Sequence, residues 1–307
     1  MPANQHTLKN PIHATGTGLH TGEAVRVTFR PAPVDTGILF VRTDLAPEVV
    51  IPARIDYAGE SRLATRLEKG PVSIMTVEHL LSALAGMAID NLLVEVHGPE
   101  LPIMDGSANP FVFLLQAAGV EAQSAARRYL RVCRKVVLSE GDAEVSLSPH
   151  DGFRLEYTFV HDHPLIQHLI ASSAVDLTTM SYIKEVARAR TFGFLADYEA
   201  MLGMNLAKGG SLSNAVLVDD QGVVNEDGLR GRDEFVKHKI LDAIGDLYLL
   251  GAPLIGVFRG VKSGHAMNRR LMQRLLDSPN AFEMVTFAAG DDVPGAIMNV
   301  DRQAVAI

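Results

Sequence analysis

Cysteine is almost missing from this chain. One residue of 307, Cys133, carries a thiol, so no disulfide can close within the chain and no cysteine-rich zinc ribbon can form, as suits a reducing cytosol. Long apolar runs are missing too. The most apolar window, LYLLGAPLIGVF, is broken by Gly and Pro and falls well short of the roughly 20 residues of a spanning helix. The opening MPANQHTLKNPIHATG lacks the apolar core of a secretion signal. Nor is there a basic run: 28 Lys and Arg against 36 Asp and Glu leave a net charge of −8, which argues against a general nucleic-acid binder. Gly16, Gly18 and Gly22 are not followed by a helix, so they make no dinucleotide-binding turn and read instead as a tight loop. A cytoplasmic protein with no stable membrane insertion is expected.

What is present starts with Asp233–Asp246, DEFVKHKILDAIGD, where Phe235, Ile240, Leu241 and Ile244 recur at helical intervals. His238 and Asp242 are four apart and project from one face, with Asp246 one turn further on. An imidazole and a carboxylate so placed are two-thirds of a catalytic zinc site, which takes three protein ligands and leaves one position open. On spacing alone, most such pairs are solvated or core polar contacts, and the rest of the chain must supply the third ligand.

The length allows two domains, and the pattern repeats. In the first part, strands over Ala24–Phe29, GILFVRT and VVIPARI precede a helix, VEHLLSALAGM, that reads as amphipathic with Thr76 as its N-cap. A strand at Asp90–Val96 and a helix at Phe111–Ala118, capped by Ser107 or Asn109, follow. Polar, small-residue GVEAQSAARR (residues 119–128) reads as the linker. Beyond it come the strands YLRVCRKVVL, AEVSLSP and FRLEYTFV, a helix SYIKEVARA, a hairpin NAVLVDDQGVVN and the long helix. The strand LIGVFRG, the helix MNRRLMQRLLD and the strand FEMVTF close the series. VEHLLSALAG and VKHKILDAIG overlay with His79 on His238. The expected fold is α+β: two similar domains from an internal duplication, 1–126 and 127–307, each a mainly antiparallel sheet with helices, the helices packed at the domain interface.

That overlay makes His79 the natural third ligand. Its neighbour Glu78 fits a general base or a carboxylate favoured at a helix N-terminus equally well. His265, after a Ser-Gly turn, fits an acid oriented by Asp246 or a surface histidine near a cap. Thr191 fits an oxyanion donor or a structural threonine, and Lys239 a phosphate ligand or a solvated lysine.

TVEHLLSALAG, PIMDGSANPFV, RARTFGF, VVNEDGLRGRDEFVKHKILDAIGDLYL and KSGHAMN, in that order, resemble the UDP-3-O-acyl-N-acetylglucosamine deacetylases, which act at the committed step of lipid A biosynthesis in Gram-negative bacteria. The resemblance implies that His79, His238 and Asp242 hold one Zn2+, that Glu78 is the base, and that His265, held by Asp246, protonates the departing amine. It implies that Thr191 stabilises the oxyanion and that Lys239 and Phe192 line the site, with Leu19 and His161 at the substrate. His161 stands where the family often has an aromatic for uridine to stack on. The implied substrate is a nucleotide sugar bearing an acyl chain, hydrolysed by a monomer. An insert at about 193–212, rich in Met and Leu, is the expected acyl passage, although helical spacing alone would assign those residues to a core. The alternatives are a zinc amidohydrolase for another acylated amino sugar, and a binding module pinned by zinc.

Overall fold

The computed structural model describes residues 4–60 and 63–287. The tail VPGAIMNVDRQAVAI lies outside them. The first half runs β1 (Asn4–Leu8), β2 (Ile12–Thr17), β3 (Ala24–Pro31), β4 (Ile38–Arg42), β5 (Val49–Pro52), β6 (Arg66–Lys69), β7 (Val72–Met75), α1 (Glu78–Gly86), β8 (Leu92–His97), α2 (Asn109–Ala118) and β9 (Val120–Ala126). The second runs β10 (Tyr129–Val132), β11 (Val136–Glu140), β12 (Ala143–Ser148), β13 (Phe153–Thr158), β14 (Ser172–Asp176) and a short α3 (Thr179–Ser181) continued by a π-turn. Then follow β15 (Phe192–Phe194), α4 (Leu195–Gly203), β16 (Val216–Asp219), β17 (Gly222–Val223), α5 (Glu234–Leu247), β18 (Leu254–Val261), α6 (His265–Asp277) and β19 (Phe282–Val285).

The two halves share one topology. In the first, the strand order is β2-β3-β8-β4-β5, with β8 antiparallel to β3 and parallel to β4. In the second, β11-β12-β18-β13-β14 repeats it, with β18 antiparallel to β12 and parallel to β13. In each half the first strand also pairs antiparallel with the last, β1 with β9 and β10 with β19. Among the described residues no strand pairing crosses from one half to the other. The sheets follow period-2 patterning. In β13, Phe153, Leu155 and Tyr157 turn inward while Arg154 and Glu156 lie on the other side.

The helices carry the contact between halves. All but one of the fourteen residues of α5 are buried, which makes it a central helix. It packs on α1, which is also buried nearly all round and not amphipathic as expected. One apolar core contains Leu80 and Leu84 of α1 together with Ile240, Leu241 and Ile244 of α5. At the crossing stands Gly245, where a Cβ would lie 2.0 Å from the carbonyl oxygen of Glu78; only glycine lets the two main chains come this close.

Several expectations are corrected. Residues 120–126 form β9, an edge strand, because their partner β1 lies more than a hundred residues earlier and cannot be read locally. Gly16, expected in a tight loop with Gly18 and Gly22, falls instead within β2. YLRVCRKVVL divides into two strands around the exposed Cys133. Thr76 does not cap α1: its hydroxyl donates to Glu100 at 2.7 Å instead. No side-chain hydrogen bond caps α2, and Ser107 Oγ accepts from the Asn109 N–H at 3.2 Å. Within the insert, α4 buries none of its residues, so Leu195 and Leu202 are not core.

Candidate metal centre and active site

The first turn of α1 brings Glu78 and His79 against the middle of α5, which presents His238, Asp242 and Asp246. Donor atoms of His79, His238 and Asp242 all lie within 4.8 Å of one another. His238 Nε2 is 3.3 Å and His79 Nε2 3.7 Å from Asp242 Oδ1, and the imidazoles meet edge-on, 5.0 Å between centroids. His238 Nδ1 donates to the Ala189 carbonyl at 3.0 Å, which fixes the ring and leaves Nε2 as a bare lone pair, the usual arrangement of a metal-binding histidine. Burial pushes His238 down to about 3, so it is neutral. Burial works against the Asp242 carboxylate, yet the Lys239 ammonium beside it helps to hold its pKa well below the usual range. Asp242 Oδ1 is buried without a hydrogen-bond partner among the described residues. Two buried imidazoles, that of His238 neutral, and an ionised, unsatisfied oxygen fit a divalent cation of zinc's preferences.

Beside this cluster stand two groups of opposite proton affinity. Glu78 Oε2 accepts the Thr65 N–H at 2.9 Å, and burial raises the carboxyl to about 7 against the pull of His265 and His79. His265 opens α6 and directs Nδ1 at Asp246, 2.9 Å from Oδ2. Burial would lower the imidazole, but the charge of Asp246 and its hydrogen bond carry it up to about 9. Its Nε2 stands 3.9 Å from Glu78 Oε1. Asp246 also accepts from Asn268 Nδ2 at 2.8 Å and Thr65 Oγ1 at 2.5 Å. A proton acceptor and a proton donor therefore face each other across the same small space.

These groups open into a cavity of about 310 Å³ lined by Glu78, His79, His238, Asp242 and His265, and also by Leu19, Thr191, Phe192 and Lys239. Thr191 is held by its backbone, which donates to Gly106 and accepts from Val216, each at 2.8 Å. The preceding Arg190 anchors the strand to α5 through Glu234 at 2.8 Å. Lys239 Nζ lies 3.1 Å from Asp242 Oδ2 and 5.6 Å from the Phe192 ring centroid. His161 is outside the lining; its ring stacks on Phe194 of the wall at 3.8 Å. Met201 reaches the cavity, while Leu195, Leu202, Met204 and Leu212 remain exposed.

Two residues at the site carry no local signal in the sequence. One is His20, next to the expected Leu19. Glu100 accepts the His20 N–H at 2.9 Å and the Thr21 hydroxyl at 2.7 Å, which fixes the loop. His20 Nδ1 accepts from Ala207 N at 3.3 Å, and its Nε2 has no partner among the described residues. The other is Thr65. No helix among the described residues is long and apolar enough to cross a membrane.

A family model described as UDP-3-O-acyl N-acetylglycosamine deacetylase matches residues 5–277. Proteins of Coxiella burnetii strains CbuK_Q154 and Dugway 5J108-111, each called UDP-3-O-acyl-N-acetylglucosamine deacetylase, are 54% identical over 300 residues, covering 98% of this chain and 99% of their own length.

Proposed function

The chain belongs to the UDP-3-O-acyl N-acetylglycosamine deacetylase family, and on that premise we propose that it hydrolyses the 2-acetamido group of UDP-3-O-(3-hydroxyacyl)-N-acetylglucosamine, releasing acetate in lipid A biosynthesis. The observation that carries the reading is the convergence of a three-ligand donor set with an acid–base pair in one cavity. Structural zinc sites normally have four protein ligands, so the spare position and the adjoining Glu78 and His265 favour catalysis over a metal-pinned binding module.

His79, His238 and Asp242 would hold Zn2+, which when bound supplies a Lewis acid for the acetamide carbonyl and lowers the pKa of water. Glu78 takes the proton from the attacking water. Its burial, aided by the nearby charges of Asp242 and Asp246 and opposed by His265 and His79, holds its proton affinity close to neutral pH, where a base is most effective. His265, held charged by Asp246, gives the proton at Nε2 to the leaving nitrogen, so that amine and not amide anion departs. Thr191 donates to the developing oxyanion. Lys239 and Phe192 bound the sugar, Leu19 and His161 extend the substrate surface, and the apolar side chains around α4 suit the acyl chain, with Met201 as an adaptable wall.

The chain divides in this reading between residues 126 and 127, where no strand pairing crosses, and the matched topologies of the halves support an internal duplication. A single chain carries every group named, which supports a monomer. The test is acetate release from the UDP-linked 3-O-acyl sugar and from its analogue without the acyl chain, with zinc content measured on the same protein. Release from the acylated sugar at near one zinc per chain is expected; zinc without release would redirect the search to other acylated amino sugars.

A further inference from the structure

We propose that Thr65 is a positioning residue that ties the base and the acid of the site together. The inference rests on the assignment of Glu78 and His265 above. Thr65 belongs to the first half and precedes β6, and it is buried. All three of its polar groups are committed. The N–H donates to Glu78 Oε2 at 2.9 Å, the carbonyl accepts from Val77 N at the start of α1 at 3.3 Å, and the hydroxyl donates to Asp246 Oδ1 at 2.5 Å. The same hydroxyl oxygen is 3.2 Å from His265 Nδ1. One residue therefore touches the base through its main chain and the acid pair, from the other half, through its side chain.

The chemistry of the threonine hydroxyl accounts for the effect. It has one proton, and the carboxylate of Asp246 can only accept, so that proton goes to Oδ1 and leaves a lone pair facing Nδ1. An Nδ1–H is then favoured by Asp246 and Thr65 alike, and the exchangeable proton stands on Nε2, on the side of Glu78. With Oδ1 taken, Oδ2 is presented to His265 and Asn268. The β-branched side chain has little rotational freedom with which to leave this position.

Thr65→Val keeps the shape and the backbone contact with Glu78 and removes only the hydroxyl. We expect kcat to fall roughly ten- to a hundred-fold with KM changed by less than about twofold, bound zinc unchanged, and Thr65→Ser, which restores the hydroxyl, to recover most of the loss. A residue that only fills space would lower the melting temperature and leave kcat alone. Should Thr65→Val fail to fold, Thr65→Ala is read in the same way. His265→Ala and Glu78→Gln are assayed alongside. If they abolish turnover while the Thr65 variant stays within about threefold of the parent, the inference about Thr65 is wrong and the acid–base assignment stands. If kcat and zinc are lost together and serine does not restore them, Thr65 is structural. If His265→Ala and Glu78→Gln retain turnover, the acid–base assignment fails and takes the inference with it.

Discussion

Replacing Gly245 by alanine tests how closely α1 and α5 must approach. The new Cβ would lie 2.0 Å from the Glu78 carbonyl oxygen, 2.8 Å from its carbonyl carbon and 3.0 Å from its Cα. All three are main-chain atoms of the residue next to His79, so no side-chain rotation can relieve them. Reaching the 3.4 Å where ordinary contact begins requires a retreat of about 1.4 Å. Two terms of opposite sign compete. Alanine is the better helix former by about 1 kcal/mol, whereas overpacking against an unyielding neighbour costs about 3 kcal/mol. For a chain of this length the net loss of about 2 kcal/mol corresponds to a melting point lower by roughly 3 °C. A displacement of about 1 Å between Glu78–His79 and His238–Asp242 would also cost roughly a hundredfold in turnover. Gly203→Ala in α4, where nothing lies within 4 Å of the added carbon, serves as the control for propensity alone. Calorimetry, zinc titration and acetate release on both variants decide the matter. A Gly245→Ala protein as stable as the parent or more so, with undiminished zinc affinity, would refute the argument.

Glu78→Gln should lower turnover by roughly 10²–10⁴-fold with zinc content unchanged, checked by metal analysis beside acetate release; loss of metal would mean that Glu78 is a ligand. Chelation should abolish turnover and lower the melting point, and zinc at about a hundred times its Kd should restore about 2.7 kcal/mol, read from the dependence of melting temperature on zinc concentration. Without metal, stability should fall as pH rises from 6.5 to 9: His265, raised from 6.5 to about 9, contributes fully below 6.5 and loses that contribution on passing 9. Glu78, raised from 4.5 to about 7, weakens the fold as it ionises over that interval. His238, lowered from 6.5 to about 3, acts the opposite way below 6.5, so a steady decline is expected only above that value. A flat melting curve over this upper range, or one that His265→Gln leaves unchanged, would contradict the raised value of His265.

The helix of His238, Asp242 and Asp246 was legible because its information is local: one face, one period and no breaker before Gly245. The repeat was legible because both halves place a histidine at the same step of similar helices. What escaped was held by distant partners. His20 is fixed by Glu100, eighty residues on, and by Ala207 of the other half. Thr65 gains its meaning only when Glu78 and Asp246 come together. Thr76 has the composition of a cap, yet the buried Glu100 carboxylate takes its hydroxyl and the backbone there turns to φ +58°. The strand at 120–126 looked like a linker because an edge strand built from Ala, Gln and Ser needs only a partner and shows no apolar alternation of its own.

The distribution of the site along the chain also sets an order in time. A chain growing from its N-terminus makes Thr65, Glu78 and His79 first and has all three candidate ligands only when Asp242 has emerged. His265, the first residue of α6, comes last of all. On the proposed assignment a chain that stops short of His265 has its candidate ligands but no acid for the leaving amine, so hydrolysis would require almost all of the described fold.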